Sequence, residues 1–132
     1  MKKVAVYGSL LTDLGNHGLL EESTLLGDFR VILPFKMISL GGFPGLLESD
    51  ISNYISLEIY EVDEDTSKSL DRLEGYPHFY NKKVIPITEG YEAVEIYFLN
   101  NERGYNDHTV VESGDWKAFY INKQNKYVLS QY

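Results

Sequence analysis

Glu74 stands in the run Leu70-Asp71-Arg72-Leu73-Glu74-Gly75-Tyr76-Pro77, where a helix is expected to stop at Gly75 and leave one carboxylate beside a turn. A carboxylate at a helix C-terminus faces the negative end of the dipole, and Tyr76, Phe79 and Tyr80 limit its hydration. Both effects favour the neutral acid and push its pKa upward, toward the range in which one group can take a proton and return it. Near the start of the chain, Val4-Ala5-Val6-Tyr7-Gly8-Ser9-Leu10 reads as an apolar strand entering a small, glycine-containing loop. Such a bend presents main-chain N–H groups to an anionic or polar ligand with no bulky side chain in the way. Tyr7, Gly8, Ser9 and Leu10 are therefore candidate binding residues, and Glu74 is the candidate general acid/base.

Other chemistries find less support. Ser9 lacks the Gly-x-Ser-x-Gly elbow of a hydrolase nucleophile. The three histidines, His17, His78 and His108, are widely spaced without a paired ligand pattern, and there is no cysteine, so neither a metal site nor a cofactor is expected. Asp71 and Arg72 read as exposed helix pairs or as anchors of the turn.

These residues need elements to hold them. Lys3 to Tyr7 reads as a short buried strand that Gly8 breaks. Asp13 to Gly18 is irregular, and Leu19 to Leu26 has room for a turn of helix before Gly27. Phe29 to Leu33 and Phe35 to Leu40 read as two strands, or as one interrupted at Pro34, followed by the turn-rich stretch from Gly41 to Gly45. Ile55, Leu57 and Ile59 alternate with Ser56 and Glu58, so Tyr54 to Val62 is a strand with one face on a core. Asp63 offers an N-cap, Glu64 and Asp65 complement the dipole, and Leu70 and Leu73 share an apolar face. A helix over Glu64 to Glu74 follows, closed by Gly75 and kept from resuming by Pro77. Lys82 to Ile87 and Glu92 to Leu99 flank Glu89-Gly90 as a hairpin. Asn100 to Asp107 reads as a loop, and Trp116 to Ile121 as a last strand or helical turn.

At 132 residues the chain suits one domain, residues 1–132, burying roughly two-thirds of its unfolded surface. Many strands around one helix indicate an α+β domain with a mainly antiparallel, strongly curved or barrel-like sheet. The net charge of −8 argues against nucleic acid, which draws affinity from clustered Lys and Arg. No basic amphipathic stretch or span of ~20 apolar residues suggests a membrane, and Met1-Lys2-Lys3 leads into a strand pattern rather than a signal peptide. A cytoplasmic protein is expected, monomeric or weakly dimeric. Most of the eleven tyrosines read as packing residues.

Tyr7-Gly8-Ser9-Leu10 and Leu70 to Gly75 together resemble the gamma-glutamylcyclotransferase-like family, in its compact gamma-glutamylamine cyclotransferase branch. The family's first strand ends in Tyr-Gly-Ser-Leu or a close variant, and its essential glutamate lies in a Leu-Asp-x-Leu/Phe-Glu-Gly segment. Phe43-Pro44-Gly45-Leu46, Leu57 to Val62, Tyr80 and Ser113-Gly114-Asp115-Trp116 are similar to its proline-glycine turn, central strand, later tyrosine and late turn, so the likeness spans most of the chain. It implies a small barrel with one or two short helices and a small gamma-glutamyl substrate closed to 5-oxoproline. Glu74 would move the proton, Tyr7 to Leu10 would hold the glutamyl part, and Tyr80 would donate its hydroxyl to substrate or to Glu74. Leu11 stands where many relatives carry arginine, and the basic residues after the later tyrosine come only at Lys82 and Lys83. The alternatives are a non-catalytic small-molecule or protein-binding member of the same fold, and a lyase acting on a gamma-glutamyl group carried by a biosynthetic intermediate or a peptide.

Overall fold

The computed structural model describes residues 1–100, 104–105 and 108–122. Five strands form one sheet in the order β2-β3-β1-β5-β4: β1 is Lys2–Val6, β2 Thr24–Ser39, β3 Pro44–Val62, β4 Tyr80–Ile85 and β5 Val94–Leu99. Three pairings are antiparallel and one, β1 with β5, is parallel. The α+β class stands, but the sheet curls without closing, so "barrel" is an approximation. Side chains bridge from β4 to the start of β3: the Tyr80 hydroxyl donates to the Pro44 carbonyl, and Lys83 pairs with Glu48 at 2.8 Å.

Strand β1 sits in the middle because its residues are apolar on both sides of the pleat. Val4 and Val6 join one core with Leu20, Leu70, Tyr80 and Leu99; Ala5 and the following Tyr7 join the other with Phe35, Ile59, Ile96 and Trp116. A strand buried on both faces reads as a continuous apolar run.

Pro34 does not split β2 into two strands. The ladder steps from Leu33↔Asn53 to Phe35↔Glu48, so Pro34 alone faces residues 49–52. A bulge is where a residue without an N–H costs the ladder least. Asn53 Nδ2 fills the gap by donating to the carbonyls of Phe35 and Ile51, at 2.9 and 3.1 Å. Bulges bend strands, and the β2–β3 tip at residues 40–43 lies beside the cavity described below. Strand β3 starts ten residues earlier than its alternating stretch suggested, since residues 44–48 pair with Phe35 to Ser39 of β2, and glycine is needed at 45 because any Cβ there would overlap the Leu99 side chain.

Helix α1 runs Glu64–Glu74, with the Asp63 side chain accepting from the Thr66 N–H at 2.8 Å and Gly75 closing it at φ +64°. Leu70 is fully buried, whereas Leu73, expected to share its apolar face, is 40% exposed. The expected turn of helix is a 3-10 turn at His17–Leu20, ahead of β2. In hairpin β4–β5 the first strand runs Tyr80–Ile85, two residues earlier at each end than expected and stopping before Pro86, and the second runs Val94–Leu99, two residues shorter at its start, with Gly90 at φ +86° in the turn. Residues 116–122 form a second helix, α2, rather than a strand: Asp115 Oδ1 accepts the Ala118 N–H at 3.1 Å as an N-cap, and Trp116 is buried in the core. Of the expected loop Asn100 to Asp107, residues 101–103 and 106–107 lie outside the described residues. Among the described residues no helix is long and apolar enough to cross a membrane.

Candidate active site

A cavity of about 440 Å³ opens between the end of β1, the C-terminal turn of α1 and the tip of the β2–β3 hairpin. Glu74 lines it, and so do Tyr7, Gly8, Ser9, Leu10 and Tyr80; two segments more than sixty positions apart thus share one hollow.

The 7–10 bend is held from behind. The carbonyls of Gly8, Ser9 and Leu10 are engaged by the protein: Gly8 O accepts the Leu11 N–H at 2.9 Å, Ser9 O the Asn16 N–H at 2.9 Å, and Leu10 O lies 2.9 Å from His17 Nδ1. Asn16 Nδ2 also donates to Ser9 Oγ at 2.8 Å, so this hydroxyl is braced by an amide rather than by a histidine. Among the described residues the N–H groups of Gly8, Ser9 and Leu10 donate to no protein acceptor. A bend with its acceptors used and its donors spare has the polarity of an anion-binding concavity. Gly8 is required by space: a Cβ there would come within 2.8 Å of Pro44 Cγ and Cδ.

Burial raises the Glu74 carboxyl from its ordinary 4.5 to about 7, and among the described residues no cation or hydrogen-bond donor acts against it. Enclosure, one of the two causes expected from sequence, is thus present in the structure. The native state therefore holds this proton more tightly than the unfolded chain does. Below pH 4.5 the group adds no penalty; stability falls as pH rises from 4.5 to about 7 and stays reduced above. Glu74→Gln removes that titration. The variant is expected to gain on the order of 1–2 kcal/mol over wild type at pH 8, after discounting for water that still reaches a part-buried group, and far less at pH 4. Urea unfolding at the two pH values checks this, and an equal difference at both would show that Glu74 titrates normally.

Tyr80 occupies a different role from the one expected of its hydroxyl. That group donates at 2.5 Å to the Pro44 carbonyl, which the curl of the hairpin brings within reach, so it is not offered to Glu74. Burial foremost, with the Glu74 carboxylate beside it, pushes its pKa above the ordinary tyrosine value. Tyr80 acts as a wall that ties β4 to the hairpin tip. Tyr7 likewise spends its hydroxyl inside the core, on the Tyr97 carbonyl at 2.7 Å.

Asp71 is not an exposed helix partner. It receives Lys82 Nζ at 2.9 and 3.1 Å and the Tyr97 hydroxyl at 2.6 Å, which fastens the last turn of α1, three residues before Glu74, to β4 and β5. Burial alone would raise its pKa, but these donors outweigh that and hold it below the usual carboxylate range. Arg72 does stay outside, donating to Ser69 at 3.2 Å. Leu11, at the position where arginine is common, is buried, and neither Lys82 nor Lys83 lines the cavity. Among the described residues no three His, Asp or Glu side chains converge as a metal site needs.

Sequence reasoning missed Asn16, Leu73 and Tyr97 as cavity residues. Period-two alternation in β5 was the available signal for Tyr97, since it puts Tyr97 and Leu99 on one face and Ile96 and Phe98 on the other. For Asn16 no signal existed, because its contact with Ser9 depends on the path of the loop.

Residues 4–118 match the family described as "Gamma-glutamyl cyclotransferase, AIG2-like". The chain belongs to that family. It is a gamma-glutamylcyclotransferase-like enzyme, and it spans nearly the whole length of two of its relatives. It is 36% identical over 113 residues, 86% of this chain and 93% of the other, to a Vibrio cholerae protein that carries the name "Putative gamma-glutamylcyclotransferase". A Methanocaldococcus jannaschii protein of the same description is 36% identical over 123 residues, 90% of this chain and 98% of its own. Among solved structures, the Escherichia coli protein ytfP, determined by solution NMR, superposes with a TM-score of 0.67 at 31% identity, covering 86% of this chain and 95% of ytfP.

Proposed function

We propose that this gamma-glutamylcyclotransferase-like enzyme closes a small gamma-glutamyl amide to 5-oxoproline and releases the free amine, with Glu74 as the general acid/base. The substrate's α-nitrogen attacks its own side-chain carbonyl carbon. A C–N bond forms in the new five-membered ring, and the amide C–N bond breaks. Glu74 takes the proton that the α-ammonium must lose and delivers it to the departing nitrogen. No water is consumed, and the nucleophile belongs to the substrate, so the reaction needs no cofactor. Folding the chain into a near-attack shape supplies much of the rate, because effective molarities of internal reactions are large.

The observation that carries this reading is a carboxyl raised by burial to about 7, in the same cavity as a bend whose three N–H groups are spare. A group that titrates near neutrality both accepts and returns a proton at little cost. The N–H groups of Gly8, Ser9 and Leu10 are placed to hold the substrate's carboxylate or the oxygen that gains charge as the ring closes. With Leu11 buried and both lysines engaged elsewhere, main-chain donors take the part that an arginine would otherwise play.

The test is product analysis with a panel of gamma-glutamyl amines. Amine and 5-oxoproline are expected in a one-to-one ratio, and free glutamate in place of 5-oxoproline would make the protein a hydrolase. No product from any amide, with binding retained, would favour a non-catalytic member of the fold. On the acid limb, kcat/KM is expected to climb through about pH 7 as Glu74 loses its proton. Gly8→Val should raise the Kd for a gamma-glutamyl amine at least about tenfold, since the branched side chain forces the bend away from Pro44; titration calorimetry reads it, and unchanged affinity would place the ligand elsewhere.

A further inference from the structure

The mouth of the cavity is built from rings and an exposed leucine. Phe43, on the hairpin tip, is 40% exposed and lies 6.1 Å, centroid to centroid, from Phe79, which follows α1. Phe79 in turn meets Tyr80 edge-on at 4.9 Å. Leu73, also 40% exposed, lies on the wall that carries Glu74. A part-exposed Phe and Leu gathered at the opening of one cavity call for an explanation, because scattered surface apolar residues do not. The charge pattern is equally one-sided: among the described residues no Lys, Arg or His lines the cavity and Glu74 is the one carboxyl that does, and the chain as a whole carries −8.

We propose that Phe43, Phe79 and Leu73 form the subsite for the amine half of the substrate. The subsite selects gamma-glutamyl amides whose amine bears an uncharged apolar or aromatic group, and it rejects those whose amine bears a carboxylate. This rests on the cyclotransferase reading above and specifies its substrate class. The glutamyl half, held by the 8–10 bend, occupies only part of a cavity of about 440 Å³, and the leaving group then extends toward the opening. An aromatic group there stacks against Phe43 and Phe79 in the offset or edge-on geometries that rings favour. A carboxylate there loses water, finds no cation among the described lining residues and sits near Glu74, a combination that is unfavourable on every count. Discrimination by apolar fit runs from about ten- to about two-hundredfold.

The experiment compares gamma-glutamylbenzylamide, gamma-glutamylmethylamide and gamma-glutamylglycine in two arms. The first arm measures binding by calorimetry to Glu74→Gln protein, in which turnover is expected to be too slow to consume the ligand during the titration; the second measures 5-oxoproline release by wild type. Benzylamide is expected to bind at least tenfold tighter than the glycine compound, with the methylamide between them. The same order is expected in kcat/KM. Phe43→Ala and Phe43→Leu are compared next: alanine should shrink the benzyl-to-methyl ratio several-fold, and leucine should restore most of it, which a merely misfolded tip would not do. Equal or tighter binding of gamma-glutamylglycine would overturn the subsite, as would a ratio indifferent to Phe43→Ala or no binding of any of the three. The binding order with no 5-oxoproline from wild type would instead overturn the reaction and leave the subsite standing.

Discussion

Glu74→Gln is expected to keep the fold and lose roughly 10²–10⁴-fold in kcat for 5-oxoproline release, with little change in KM. The amide is nearly the shape of the acid, so the cavity and the 7–10 bend stay as they are, yet it neither accepts the ammonium's proton nor donates one to the leaving nitrogen. The part-buried setting sharpens the contrast: burial that raises the carboxyl to about 7 is a cost when the group ionises, and the neutral glutamine escapes it. The same substitution therefore stabilises the protein at pH 8 and disables it. Glu74→Asp retains a carboxyl but draws it back by one methylene, and should keep a small fraction of the activity. Steady-state assays with circular dichroism as a fold control decide the matter. Wild-type turnover in Glu74→Gln would remove this residue from the mechanism and move the search to Tyr97, a cavity residue whose hydroxyl donates to the Asp71 carboxylate.

Gly114→Ala is expected to cost at least about 3 kcal/mol of stability, about 10 °C in Tm for a chain of this length. Two independent reasons converge there. The residue has φ +65°, a conformation L side chains rarely adopt, and a Cβ would overlap the Tyr54 carbonyl group, whose carbon lies 2.8 Å away. That neighbour is backbone in the middle of β3 and cannot rotate aside. Relief requires moving the 111–115 turn, which breaks the 2.9 Å bond from the Ser56 N–H to the Gly114 carbonyl and lifts Trp116 from the core. Thermal unfolding checks it. A Tm within two or three degrees of wild type would mean that the turn packs less tightly on β3 than described.

Different parts of this molecule were legible in the sequence to different degrees, and the difference follows the range of the interactions concerned. Helix α1 could be read to the residue, because its limits are local chemistry: Asp63 caps an N–H three residues away, and Gly75 supplies the left-handed turn that ends it. Strand β1 and the alternating part of β3 were readable from periodicity, β1 one residue off at each end. The hairpin was not. Nothing near Pro34 states whether it ends a strand or sits in a bulge, since the answer lies in how many residues of β3 pass it, and the helix at Trp116 was ambiguous because a short aromatic run fits either state.

The site divides the same way. Local sequence marked the candidates, a carboxylate ahead of a helix-ending glycine and a strand that runs into Gly8-Ser9, and their joint likeness to one family singled them out for a proton-moving and a ligand-holding role. Tertiary structure decided the rest. It put the two segments on one cavity, turned the Tyr80 hydroxyl to Pro44 instead of Glu74, drew Asp71 inward to Lys82 and Tyr97, and brought Phe43 on a bent hairpin up to Phe79. Each of these depends on contacts between residues distant in the chain, set by sheet curl and register, and a single sequence encodes such distances only through the fold as a whole.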